Sequence, residues 1–138
     1  MGYRREYKIA ARDFARAGEA SSEIKNILKH LGLNEAIVRK ASIVAYEAEM
    51  NVVIHSSGGY LVLEVCPECI ALYADDTGPG IKDLSLAMKE GYSTAPDEIR
   101  EMGFGAGMGL PNIKKCSDKL DISTNAKGTH LKAIIYLK

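Results

Sequence analysis

The sequence has no excess of charge of either sign, few cysteines and no long apolar run. Its 138 residues include 18 basic and 18 acidic side chains, and neither half of the chain concentrates one sign. Proteins that bind nucleic acids non-specifically, or membranes through polybasic segments, carry net positive charge, so we expect neither a nucleic-acid nor a membrane partner. No apolar run approaches the roughly 18 residues that span a bilayer, and the N-terminus lacks the apolar stretch of a secretory signal. These absences predict a cytoplasmic protein.

Three cysteines form no disulfide framework, and we interpret them as reduced thiols. Cys66 and Cys69 make a C-x-x-C motif between two strand-like runs. One such pair supplies only half of the ligands of a structural zinc site, and the intervening Pro67-Glu68 is ordinary turn chemistry. We interpret the motif as a hairpin turn. A metal-binding or redox role, for example in a site shared between the two subunits of a dimer, remains an open alternative.

The overall amino-acid composition is that of an ordinary globular protein, with 46% hydrophobic and 26% charged residues. No repeat, linker or low-complexity tract divides the chain, so residues 1–138 are expected to form one domain. Helical periodicity predicts helices over residues 20–31, 37–52 (capped by Asn34), 84–89 and 110–120. Strand-like patterns lie at residues 7–14, 60–65, 70–75, 122–124 and 129–137. Strands followed by strands, with helices grouped between them, predict an α+β fold: helices on one face of a mixed, mostly antiparallel sheet.

Glu47 and Asn51 are four residues apart on the second predicted helix, so their side chains project from the same side. A carboxylate beside a carboxamide is suited to a general base next to an oxygen ligand for Mg²⁺. Taken alone, the pair is also typical of a solvated helix face.

Asp76 follows an apolar strand and opens the sequence D-T-G-P-G, which ends at Gly80. By the two-residue period of a strand it continues a buried row, and a carboxylate there needs a hydrogen-bonding partner. The exocyclic amine of a purine is one such partner. The alternative is a capping or turn aspartate.

Seven of the 13 glycines fall within residues 78–109. The last of them form the pattern G-x-G-x-G-L, which includes Gly105, Gly107, Gly109 and Leu110 and leads into a predicted helix. Uncovered backbone N–H groups and a helix N-terminus together favour phosphate binding. The pattern lacks the G-K-[ST] of a Walker loop and does not follow a strand in a βαβ unit. Taken alone, the pattern is equally typical of a flexible glycine-rich linker, and residues 91–106 are expected to form a glycine-rich loop.

The order of these motifs resembles that of the Bergerat-fold ATPases, the superfamily of gyrase, histidine kinases and MutL. E-x-x-x-N on a helix, D-x-G-x-G after a strand, G-x-G-x-G-L at a helix start and Gly128-Thr129 before a final strand follow one another over nearly the whole chain. The run at residues 107–115 looks most like the serine kinases of bacterial partner-switching systems, which include anti-sigma factors. Residues 91–94 also resemble the lid region of histidine kinases.

The resemblance implies a role for each motif residue and two cofactors, ATP and Mg²⁺. Glu47 would be the general base that polarises a serine hydroxyl, and Asn51 would ligate Mg²⁺. Asp76, with Thr129 beside it, would accept a hydrogen bond from the adenine amine. Gly78 and Gly80 would let the backbone pass close to the nucleotide. The lid and the phosphate contacts would come from Gly105, Gly107 and Gly109, with Leu110 as the last residue of that motif.

The chain length leads us to expect that the phosphate acceptor is a different protein. The resemblance implies a serine or threonine of a STAS-domain antagonist, a sigma factor as a further binding partner, and a homodimer. Two alternatives stay open. One is a nucleotide-binding interaction module without kinase activity, suggested by the unusual Ala48-Glu49-Met50 between the motif residues and by the unassigned C-x-x-C. The other is a catalytic domain that serves a separate phosphohistidine partner.

Overall fold

A computed structural model describes residues 2–78, residue 88 and residues 109–137. The described strands are β1 (Tyr3–Ile9), β2 (Gly59–Val65), β3 (Cys69–Asp76), β4 (Lys119–Asn125) and β5 (Gly128–Tyr136). The described helices are α1 (Glu19–His30), α2 (Glu35–His55) and α3 (Gly109–Cys116).

The five strands form one sheet in the order β1-β2-β3-β5-β4, and every pairing among them is antiparallel. This arrangement confirms the α+β prediction and the mostly antiparallel sheet, although no parallel pair occurs among the described strands. Leu63, Leu72 and Ala133 lie opposite one another on β2, β3 and β5, and all three are buried. Residues paired across strands share a face, so this row marks the apolar side of the sheet.

Helix α2 contacts both other helices and four of the strands, and it is the central element of the core. Its buried residues include Val44 and Val52, which join Ile24 and Leu28 of α1 in the same apolar cluster. Asn34 caps α2 as predicted, because its side-chain oxygen accepts a hydrogen bond from the Ala36 N–H at 2.8 Å. The candidate site residues on α2, Glu47 and Asn51, are therefore carried by a helix that packs against its neighbours on several sides.

Helix α1 begins without a capping side chain of its own, because the residue before it is Gly18. Glu49 of α2 supplies the missing acceptors: its two carboxylate oxygens accept from the Gly18 N–H at 3.1 Å and the Ser21 N–H at 3.0 Å. Glu49 is only 2% exposed. A buried carboxylate thus satisfies the free N–H groups of one helix from the side of another.

Two boundaries differ from the sequence prediction. The first strand lies at Tyr3–Ile9 rather than at residues 7–14. It is an edge strand that pairs only with β2, so most of its side chains are exposed and the expected apolar alternation is absent. Helix α3 ends at Cys116, and Leu120 belongs to β4, where it lies opposite Ala133. A leucine that faces the core satisfies a helical and a strand pattern equally well.

The C-x-x-C motif forms the turn between β2 and β3, as predicted, and the Cys66 N–H donates to the Cys69 carbonyl at 2.9 Å. Among residues 2–78, 88 and 109–137, no group of three or more His, Cys, Asp or Glu residues is arranged to hold a metal ion. The helices of this described part are all too short or too polar to cross a membrane. The predicted helix at 84–89, apart from Met88, and the loop at 91–106 lie outside the described residues.

Candidate nucleotide and phosphotransfer site

Glu47 and Asn51 meet the beginning of α3 along one side of α2. The Asn112 side-chain amide of α3 donates to Glu47 Oε2 at 2.6 Å. Both partners are partly buried. Among the described residues, no group donates a hydrogen bond to the other carboxylate oxygen, Oε1. The structure therefore presents a carboxylate that is held at one oxygen and leaves the second available.

Gly109, the first residue of α3, lies directly against the Asn51 side chain. A Cβ atom at position 109 would come within 3.2 Å of Asn51 Oδ1 and 3.7 Å of Nδ2. The 3.2 Å contact would require the carboxamide oxygen to shift by a few tenths of an ångström, so glycine allows the backbone to approach it closely. Gly109 is the last glycine of the G-x-G-x-G-L pattern, and Asn51 is the asparagine of the E-x-x-x-N pair. The two residues are in contact although they are 58 positions apart in sequence (109 − 51).

Asp76 and Thr129 lie beside each other where β3 ends and β5 begins. The Thr129 N–H donates to Asp76 Oδ1 at 3.0 Å. The Thr129 hydroxyl is 3.0 Å from the Thr124 hydroxyl, which places it within a small polar group at the start of β5. The sequence prediction brought Thr129 next to Asp76 on family resemblance, and the structure has them in direct contact.

Partial burial raises the pKa of the Asp76 carboxyl, and the Thr129 N–H only partly offsets that effect. His130 favours the ionised form, whereas Asp75 opposes it. An ionised carboxylate that pays a desolvation cost is stabilised by a further hydrogen-bond donor. Asp76 Oδ2 has no such donor among the described residues.

The segment after Asp76 is tied to the end of α2 and to the turn between β4 and β5. The Ser57 N–H donates to the Thr77 carbonyl at 2.7 Å, and the Thr77 N–H donates to the Gly58 carbonyl at 3.0 Å. Gly78 has φ +143°, a backbone conformation that favours glycine, and its N–H donates to the Lys127 carbonyl at 3.0 Å. The helix that carries Glu47 and Asn51 and the strand that carries Asp76 are therefore joined at the same end of the molecule.

Some predicted site residues are not part of these contacts. Leu110 is 6% exposed and belongs to the apolar core, where it anchors the first turn of α3. Gly80, Gly105 and Gly107 lie outside the described residues.

No family model matches the chain. The chain is 27% identical over 119 residues to the serine/threonine-protein kinase RsbT of Bacillus subtilis (strain 168). The match covers 83% of this chain and 84% of that protein. Over most of its length, then, the chain is similar to a serine/threonine-protein kinase.

Sequence reasoning missed two residues of this region, Asn112 and Glu49. Asn112 lies three positions after Gly109 and therefore on the same side of α3, which is a signal that the sequence contains. Glu49 gives no comparable signal, because the N–H groups that it binds are 28 and 31 residues away in sequence. In chemical terms, the α2–α3 contact offers a carboxylate and a carboxamide, and the β3–β5 contact offers a second carboxylate.

Proposed function

We propose that this chain is an ATP-dependent protein serine/threonine kinase of a bacterial partner-switching system. The observation that carries the proposal is the α2–α3 contact, where Glu47, one helical turn from Asn51, has one oxygen bonded to Asn112 and a second oxygen with no donor among the described residues. The similarity to a serine/threonine-protein kinase over 83% of the chain supports the same reaction class. The order of the four sequence motifs supports the nucleotide.

The described residues fit a Mg²⁺-bound adenine nucleotide. Asp76 has one carboxylate oxygen in a protein hydrogen bond and a second oxygen that can accept from an adenine amino group. Asn51 offers a side-chain oxygen, the kind of ligand that Mg²⁺ prefers. The backbone at Gly109 approaches that side chain closely, and a Cβ at this position would crowd it. Asp76 would hold the base and Asn51 the metal.

Bound Mg·ATP supplies the transferable phosphoryl group and the charge that offsets its negative oxygens, so the protein contributes mainly positioning and electrostatics. Glu47 would accept the proton of a serine or threonine hydroxyl that enters beside it. A general base needs to lie within hydrogen-bonding distance of the proton that it removes. The second oxygen of Glu47, which has no donor among the described residues, could accept from a hydroxyl that another protein brings within that distance.

The acceptor that we propose is a serine or threonine of a STAS-domain antagonist. By the same resemblance, the chain would act as a homodimer and would bind a regulator, such as a sigma factor, that the antagonist displaces. These partner assignments depend on the family resemblance and on the similarity to RsbT, and no contact of the described residues bears on them.

The test is transfer of labelled phosphate from Mg·ATP to the STAS-domain proteins of the source genome. We expect an acid-stable phosphate on one of them, as serine and threonine phosphates are, and no label on a variant whose acceptor hydroxyl residue is replaced by alanine. An acid-labile phosphate would instead identify a phosphohistidine partner. Tight ATP binding without transfer to any of these proteins would favour the interaction module.

The structure weakens one argument for the alternative function, a nucleotide-binding interaction module without kinase activity. Glu49 looked unusual between the two motif residues, and its side chain now has a structural explanation, since it caps α1.

A further inference from the structure

Asn112 forms a direct hydrogen bond with the proposed general base. Its Nδ2 lies 2.6 Å from Glu47 Oε2, and the two residues are 65 positions apart in sequence. An ionised carboxylate can only accept hydrogen bonds, so the amide nitrogen is the donor. Such a charge-assisted bond is stronger than one between neutral groups.

We propose that Asn112 is a positioning residue for Glu47: it holds one carboxylate oxygen so that the other is kept ready for the acceptor hydroxyl. This inference rests on the proposed kinase function. It also makes α3 the element that aligns the site, because the same helix contacts Glu47 through Asn112 and Asn51 through Gly109.

The physical reason is the freedom of a glutamate side chain. A half-buried glutamate on a helix samples several rotamers, and only some of them place an oxygen near an incoming hydroxyl. Fixing one oxygen from a neighbouring helix removes most of that freedom before the acceptor protein binds. Misplacement of a catalytic group by about 1 Å costs roughly 10²-fold in rate.

The neutral character of Asn112 suits a base. A cation at this position would also hold the carboxylate, but a nearby positive charge makes a carboxylate a poorer proton acceptor. One turn further along α3, the Cys116 thiol interacts electrostatically with both Lys40 and Glu47. Burial raises the pKa of the Cys116 thiol, the Glu47 charge raises it further, and Lys40 lowers it. The field of the Glu47 carboxylate thus reaches the next turn of α3.

The experiment compares Asn112→Ala and Asn112→Asp in phosphate transfer to the acceptor protein. With alanine, kcat should fall by about 10- to 100-fold, while the KM for ATP and the binding of a Mg²⁺-nucleotide should stay within a factor of about two. Aspartate keeps the shape of the side chain, removes the donor and places a second negative charge against Glu47. It should therefore lower kcat at least as much as alanine does.

Asn26→Asp is the matched control, since it makes the same chemical change at an exposed position of α1. It should transfer phosphate at the wild-type rate. A double-mutant cycle isolates the pair: in a Glu47→Gln background, Asn112→Ala should have little further effect on the residual rate.

A kcat near that of the wild type for Asn112→Asp overturns the inference, as do equal effects of Asn112→Ala in both backgrounds. A second readout needs no acceptor. In ¹⁵N-labelled protein the Asn112 side-chain amide signal should shift on Glu47→Ala, and an unchanged signal contradicts the contact itself. A wild-type chain that transfers no phosphate to any hydroxyl, with the amide signal still responsive to Glu47, overturns the kinase function and the catalytic role together and leaves the contact as a structural one.

Discussion

Two of the glutamates on helix α2, Glu47 and Glu49, are two residues apart but face different neighbours and have different surroundings. Glu49 faces α1, is 2% exposed, and has both oxygens bonded to backbone N–H groups. Glu47 faces α3, is partly buried, and has one oxygen bonded to a side-chain amide. Within the part of the chain that the structure describes, the same residue type thus occurs once with both oxygens hydrogen-bonded and once with only one.

The difference separates a structural carboxylate from one that is available for chemistry. Backbone N–H groups at a helix start exist whatever the ligand state, so the bonds of Glu49 are part of folding. A side-chain amide holds the direction of Glu47 and leaves an acceptor for a substrate. We therefore expect substitutions at the two positions to have opposite signatures: lost activity with little change in stability at Glu47, and lost stability with little change in activity at Glu49.

Replacement of Glu47 by glutamine should give the largest effect. The glutamine amide cannot take up the proton of the acceptor protein's hydroxyl at neutral pH, so the rate of phosphate transfer should fall by about 10²- to 10⁴-fold. The shape is conserved and the side chain is not fully buried, so the denaturation midpoint should change little. Rates of transfer to the acceptor protein, together with Mg·ATP affinity by calorimetry, check both statements. A variant that transfers at the wild-type rate would show that Glu47 is not the base.

Glu49→Ala should produce the reverse pattern. It removes the hydrogen bonds to the half-buried Gly18 N–H and the buried Ser21 N–H at the start of α1, at a cost of about 2–4 kcal/mol in the free energy of unfolding. Glu49→Gln keeps one carbonyl acceptor and should lose less. Urea unfolding monitored by circular dichroism measures both, and the transfer rate per folded molecule should remain near that of the wild type. Equal stability of all three proteins would contradict the capping role.

The sequence predicted the elements better than their contacts. The helix over residues 37–52 and its Asn34 cap, the C-x-x-C turn and the antiparallel strands follow from local periodicity and turn chemistry, and the structure confirms them. The predicted range of strand β1 was wrong, because an edge strand whose side chains are mostly solvent-exposed lacks the alternation of apolar and polar residues by which a strand is recognised.

Contacts between distant elements were beyond local reasoning unless a family pattern supplied them. The Asp76–Thr129 pair was anticipated from the order of motifs, since residues 53 positions apart leave no periodic signal. Glu49 and Asn112 belong to no such motif. Their partners follow only from how α1, α2 and α3 pack, and a single sequence does not encode that packing as a pattern.

The Asp76→Asn variant tests whether the carboxylate at the β3–β5 contact serves nucleotide binding or the stability of the fold. The Thr129 N–H needs an acceptor, so the new amide would turn its oxygen to Thr129 and its NH₂ toward the adenine amine, donor against donor. Affinity for ATP should fall by about 10- to 100-fold, equivalent to about 1.4–2.8 kcal/mol. In the wild type, GTP should compete poorly, because guanine carries a carbonyl where adenine carries the amine. Comparable affinities for ATP and GTP would exclude the adenine contact.

Without nucleotide, the Asp76→Asn variant should be slightly more stable than the wild type, although its affinity for ATP is lower. The pKa of Asp76 is raised in the folded state, so the folded state holds its proton more tightly and ionisation costs stability. That cost is present at neutral pH, above the folded pKa, and it disappears as the pH falls below the ordinary value of 3.8. The nucleotide-free variant should therefore unfold at slightly higher temperature than the wild type at pH 7, and this advantage should vanish near pH 3.5. A loss of stability at pH 7 would instead make Asp76 a structural carboxylate like Glu49.

Gly109→Ala should give the smallest effect, and it tests whether the start of α3 sets the position of Asn51. The new Cβ would lie 3.2 Å from Asn51 Oδ1, so that side chain has to move by a few tenths of an ångström. Displacing a side chain from its rotamer costs of order 0.5–1.5 kcal/mol, or roughly 2- to 10-fold in affinity. Because Asn51 would serve the metal, the loss should be seen for nucleotide with Mg²⁺ and should be absent when EDTA is present. Alanine is the better helix former, so the unfolding midpoint should not fall. An equal loss with and without Mg²⁺ would mean that Gly109 acts on the nucleotide directly and that Asn51 is not the residue it positions.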